Sequence, residues 1–76
     1  MQPETPPDPA WLKQVGANLR RERRRAGLTQ EALAERAELA PRTVQKIEAG
    51  EITILISTLR RLRNAVECSY DNLLEP

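Results

Sequence analysis

Twelve basic and eleven acidic side chains carry most of the chemical potential of this 76-residue chain, and their types rule out most catalysis. Histidine is absent, Cys68 is the one cysteine, and neither a cluster of carboxylates nor a phosphate-cradling glycine loop occurs. A single cysteine makes neither an internal disulfide nor a zinc site. Such an inventory predicts no enzyme, no metal and no cofactor. What remains is hydrogen-bond donation. Arg42, Gln45 and Lys46 are interleaved with Val44 and Ile47, which stand three residues apart. On a helix that spacing turns Val44 and Ile47 to one side and the polar residues to the other, with Thr43 at the edge. Arginine and lysine donate to guanine O6 and N7, and glutamine pairs in two-point fashion with adenine. Ala40 and Pro41, just before them, suit a thymine methyl.

These residues need an element to hold them. Residues 30–49 read as two short helices joined by a tight turn. Leu33 and Ala37, with Ala34 beside them, make one apolar stripe, and Glu38-Leu39 is the turn, with Leu39 apolar enough to fill the corner. Helices this short cross closely where the contact residue is small, as Ala34 is. The second helix then projects with its polar face outward. Two arrangements share this pattern: a helix that enters the major groove of double-stranded DNA, and an ordinary helical hairpin inside a small bundle.

At this length the chain forms one domain, near the lower limit for a core without metals or disulfides. Residues 1–8 hold three of the six prolines and no apolar pattern beyond Met1, which predicts a flexible arm. Asp8-Pro9 then starts a first helix, with Asp8 as cap and Pro9 at its first position. Its stripe is Trp11 or Leu12, Val15, Leu19 and Ala26, Gly16 inside it predicts a close helix approach, and Gly27 ends it. Net charge is +1, yet residues 11–27 hold six basic residues against Glu22 alone. A near-neutral chain with a local basic face suits a sequence reader better than a non-specific coat. Within the run Arg20–Arg25, the side chains of Arg21, Arg24 and Arg25 fit either a solvated face or phosphate contact. Thr29 is placed to cap the second helix and Ser69 the last, Tyr70–Leu74, whose Leu73 and Leu74 close the core. Residues 52–56 are rich in β-branched types that suit a strand by propensity. A strand without a partner fits poorly, and a loop into a fourth helix, with Ile56, Leu59, Leu62 and Val66 on its inner face, is the alternative. Ile56 is then expected in the core, while Ile52, Ile54 and Leu55 are surplus and predict a dimer interface. The longest apolar run is three residues, so no membrane span or signal peptide is expected, and the location expected is cytoplasmic.

Thr29-Gln30-Glu31-Ala32-Leu33-Ala34, the close Val44-x-x-Ile47-Glu48-x-Gly50, and Arg23 four residues before Gly27 resemble the Cro/C1-type helix-turn-helix family. That family includes the lambdoid phage repressors, and the resemblance runs from about Gly16 to Leu74. It implies an all-α fold: a compact five-helix bundle containing a helix-turn-helix, the lambda-repressor-like DNA-binding domain, over residues 9–76. It implies base readout by Pro41, Arg42, Gln45 and Lys46, and phosphate contact by Arg23, Gln30 and Thr43. It also implies a structural ion pair between Arg23 and Glu48. The chain departs from the pattern at Glu38, where the family usually has glycine in a left-handed turn, and at Ala40, where it prefers a serine or threonine cap. Arg63, Glu67 and Cys68 stand where small residues are usual, and Cys68 is expected to be a buried, inert thiol.

The expected function is a sequence-specific DNA-binding transcriptional regulator, a repressor acting as a homodimer on a two-fold site. No small-molecule ligand is evident, so control is expected from concentration, a partner or proteolysis. The alternatives are an antitoxin or restriction-modification controller, and a protein-interaction module that has lost DNA binding.

Overall fold

The computed structural model describes residues 8–76, so the arm expected over residues 1–8 lies outside the described residues except for Asp8. Five helices follow in order: α1 Pro9–Arg25, α2 Gln30–Ala37, α3 Pro41–Glu48, α4 Ile56–Val66 and α5 Tyr70–Leu74. Residues 51–55 are an extended loop rather than a strand. No helix among the described residues is long and apolar enough to cross a membrane.

Local chemistry starts and stops each helix. The Asp8 side chain accepts from Ala10 N–H at 3.0 Å, Thr29 Oγ1 from Ala32 N–H at 3.0 Å, and Ser69 Oγ from Asn72 N–H at 3.2 Å. Glu38 takes the left-handed conformation (φ 57°) in the turn after α2, where its own N–H and that of Leu39 close on Glu35 and Ala34 carbonyls. Glu67 does the same after α4 (φ 53°). Ala40 and Leu55 start α3 and α4 without a side-chain cap.

The core gathers Leu19, Leu33, Ala34, Ala37, Val44, Ile47, Leu62, Val66 and Leu73. Ala34 and Ala37 let α2 lie against its neighbours, and Leu39 packs beneath the corner. Gly16 sits where α1 meets the end of α3. A methyl group there would stand 2.5 Å from the carbonyl oxygens of Ile47 and Glu48. Gly50, at φ 72°, lets the chain leave α3 against the Lys13 backbone, 2.7 Å from where its Cβ would be.

One expectation fails. Ile56 is 85% exposed, and the core takes Ile52 and Ile54 as half-buried contributors instead. The reason is its position: Ile56 is the first residue of α4, and the buried face runs through Thr58, Leu62, Ala65 and Val66. Of the three side chains expected at a dimer interface, Ile52 and Ile54 are half-buried against the core, and Leu55 is 73% exposed. Along α1, Leu12 rather than Trp11 is the half-buried start of the expected stripe, and buried Asn18 joins the core, where its amide donates to the carbonyls of Leu73 (2.9 Å) and Glu75 (2.8 Å).

The arginines of α1 also do something that neither expectation named. Arg21 Nη2 donates to Asn72 O at 2.7 Å, and Arg25 Nη2 donates to Val66 O at 2.7 Å, so both close the ends of C-terminal helices. Buried Glu22 holds the two in place, at 3.1 Å from Arg21 Nε and 2.7 Å from Arg25 Nε. Arg63 has a structural partner as well: its guanidinium lies 4.6 Å from the centre of the Tyr70 ring.

Candidate nucleic-acid interface

Helix α3 is only eight residues long, and its two sides differ sharply. Val44, Ile47 and Glu48 are buried, whereas Pro41, Arg42 and Gln45 are exposed and Lys46 and Thr43 are half-buried at the edges. Arg42, Gln45, Lys46 and Ala49 line one shallow concavity with Glu51. The ion pairs among the described residues engage Arg20, Arg21, Arg23 and Arg25 and leave Arg42 and Lys46 out. Three of the four residues expected at the bases, Arg42, Gln45 and Lys46, thus share one concavity with donors that no ion pair engages, and Pro41 lies exposed at the start of the same helix. Glu51 is an acidic neighbour that spacing did not reveal, because it enters the stripe after the helix has ended.

The start of α3 is open. Ala40 offers no side-chain acceptor and Pro41 has no N–H, so the Arg42 N–H is the first-turn donor left for water or a phosphate. Thr43 N–H already closes on Ala40 O at 2.9 Å.

Behind this surface lies an ionic junction. Arg23 donates Nε to Glu48 Oε2 at 2.6 Å and Nη2 to Oε1 at 3.1 Å, and its Nη1 reaches Leu28 O at 2.9 Å. Gln30, the first residue of α2, donates Nε2 to Glu48 Oε1 at 3.1 Å. Arg20 adds a longer contact of 3.4 Å to the same oxygen. Burial opposes ionisation of Glu48, whose side chain is wholly enclosed, but the hydrogen bonds from Arg23 and Gln30 outweigh it and hold its carboxyl below the usual range. Glu22 is likewise held low, chiefly by the hydrogen bond from Arg25 against the opposing effect of burial. Arg20 and the Gln30–Glu48 bond escape sequence reasoning because three helices have to meet before these atoms are neighbours.

The apolar side chains left outside the core also cluster. Trp11, Leu55, Ile56 and Tyr70 border a groove of about 470 Å³, with Ile52 and Ile54 in its floor. Cys68 is half-buried. Burial first, and then the Glu22 carboxylate, push its thiol above the usual range, so it stays protonated near neutrality. Among the described residues, no group of three or more His, Cys, Asp or Glu side chains is placed to hold a metal ion.

A model of helix-turn-helix domains matches residues 19–73, more than half of the chain. Among solved structures, the restriction-modification controller protein C.AhdI from Aeromonas hydrophila is 30% identical, with a TM-score of 0.81 over 84% of this chain and 97% of that one. The clp gene regulator ClgR from C. glutamicum is 27% identical (TM-score 0.82, covering 92% and 90%). The hypothetical transcription factor NHTF from Neisseria is 30% identical (TM-score 0.79, covering 100% and 88%). No curated protein sequence matches the chain.

Proposed function

The chain belongs to the helix-turn-helix family of the Cro/C1 type, and from that premise we propose that it is a sequence-specific transcriptional regulator that represses as a homodimer on a two-fold DNA site. That it is a DNA-binding regulator follows from the family and from the regulators it is similar to. One observation carries the finer reading: α3 presents Arg42, Gln45 and Lys46 on a face free of intramolecular ion pairs, above a buried Val44-Ile47-Glu48 underside. Such a helix enters the major groove with its early residues at base edges. Pro41, Arg42, Gln45 and Lys46 read bases, while Gln30, Thr43 and the arginine pair of α1 beside Glu48 meet phosphates.

The domain is residues 9–76 and has no enzymatic activity and no cofactor; it works in the cytoplasm of a bacterial cell. Its second copy covers the groove at Leu55, joined by Ile56, Trp11 and Tyr70, because an exposed apolar patch of this kind is rarely left open in a monomer. Ile52 and Ile54 support that interface from below rather than form its surface. A dimer sets two α3 helices on half-sites about 34 Å apart. Control of restriction-modification genes is the second reading, favoured by the similarity to a controller protein.

Selection of bound duplexes from a random pool tests the proposal. An enriched palindrome with half-sites one turn apart supports it. Enrichment of a single unrepeated half-site refutes the dimer, and no enrichment at all leaves a protein-interaction module as the function.

A further inference from the structure

Side chains from α1 and α2 converge on one carboxylate of α3, and the two arginines among them are used differently. Arg23 turns inward. Its Nε, Nη1 and Nη2 all have protein acceptors, and its side chain is 10% exposed. Arg20 touches Glu48 through Nε alone, at 3.4 Å, and its side chain is 44% exposed. Both of its terminal nitrogens are without a hydrogen-bond partner among the described residues. One carboxylate facing two guanidiniums leaves a positive charge over, and that surplus sits at the surface on Arg20 rather than in the interior on Arg23. Gln30 shares the same acceptor oxygen, Oε1. Because an ionised carboxylate accepts and never donates, Glu48 turns the amide nitrogen of Gln30 towards itself and leaves that nitrogen one further N–H.

We propose that Arg20 is the arginine of α1 that contacts a DNA phosphate, aimed by Glu48 beside Gln30, and that Arg23 is the inner, structural member of the junction. The inference rests on the DNA-binding function proposed above. The chemistry suits a phosphodiester: a guanidinium fork with free terminal donors matches two phosphate oxygens, and the Gln30 N–H adds a third, neutral donor alongside. Such a contact fixes register on the duplex and carries no base information. Glu48 is a positioning residue in this arrangement, since it reaches DNA only through Arg20 and Gln30.

The test is the salt dependence of binding by the full chain, measured on a selected site and on random duplex between about 50 and 200 mM salt. Arg20→Gln should lower the slope of log K against log salt by about 0.9 for each protomer bound, equally on both duplexes, with at most a small fall in the urea midpoint from the 3.4 Å contact to Glu48. Arg20→Lys should restore the slope. Arg60→Gln, the same loss of charge on an exposed residue of α4, should leave it as in the parent protein. Glu48→Gln, kept below its unfolding temperature, should lower the slope as Arg20→Gln does, although it removes a negative charge. An Arg20→Gln slope equal to that of Arg60→Gln, or a lowered urea midpoint with the slope intact, overturns the proposal. A normal slope in Glu48→Gln overturns the positioning role. If the parent chain binds no duplex at any salt, the DNA-binding function itself is what fails.

Discussion

Replacing Arg23 by leucine would leave the Glu48 carboxylate enclosed with its two shortest charged contacts gone. In the parent structure those contacts are 2.6 and 3.1 Å, and the Glu48 side chain has no exposed surface. Breaking a buried pair by removing one partner costs about 3–5 kcal/mol, whereas an exposed pair is worth about 0–1 kcal/mol. Gln30 and Arg20 remain on Oε1 and soften the loss, so we expect about 3 kcal/mol, the lower end of the buried range. For a domain of this size that corresponds to a fall in Tm of roughly 12–24 °C. Arg23→Leu combined with Glu48→Leu should lose much less than the sum of the single changes, because the second substitution removes the stranded charge. The pH dependence has a definite sign. In the parent protein Glu48 has a folded pKa below its unfolded value, so its contribution is present above about pH 4.5 and is lost as pH falls below it. Without Arg23, burial dominates and the folded pKa rises above the unfolded one, so the variant gains stability relative to the parent on acidification. Urea melts of the four proteins at pH 7 and pH 4 measure all of this. Strict additivity, a single-mutant loss under about 1 kcal/mol, or a stability gap that does not shrink at pH 4 would refute the account.

Arg42→Ala and Lys46→Ala should each cost about 1–3 kcal/mol on the selected site and little on random duplex, whereas Gln30→Ala weakens both alike; titrations on the two duplexes decide it. Gly16→Ala should lower the Tm despite the roughly 1 kcal/mol that alanine gains in helix propensity, because its methyl meets two backbone carbonyls at 2.5 Å; a raised Tm would show that α1 and α3 are not this close. Leu55→Lys and Ile56→Lys should leave the melt unchanged and abolish dimers in light scattering, while Ile54→Lys melts early. Normal dimers in the first two variants would move the interface off the groove.

How much of this was legible in the residues follows from the range of each interaction. Caps and turns depend on neighbours within about one helical turn, and the chain states them directly: Asp8-Pro9, Thr29 and Ser69 begin helices, and Glu38 turns left-handed where the family pattern has glycine. The outward face of α3 is of the same kind, since a 3.6-residue period separates Val44 and Ile47 from Arg42 and Gln45 without reference to any other element. Which apolar residues of 52–56 enter the core was not legible. The start of α4 falls at Ile56, and only the placement of that helix against α2 turns Ile54 inward and leaves Ile56 in solvent. The arginines show the same limit. Composition marks Arg20 to Arg25 as basic, but Arg21 and Arg25 find their acceptors on α4 and α5 some forty or more residues away. Arg63 gains its reason only when Tyr70 folds beneath it. Glu48 is the clearest case. Sequence pattern pairs it with Arg23, but its bonds to Arg20 and Gln30 exist because three helix ends pack around one carboxylate, and such a meeting is a property of tertiary structure alone.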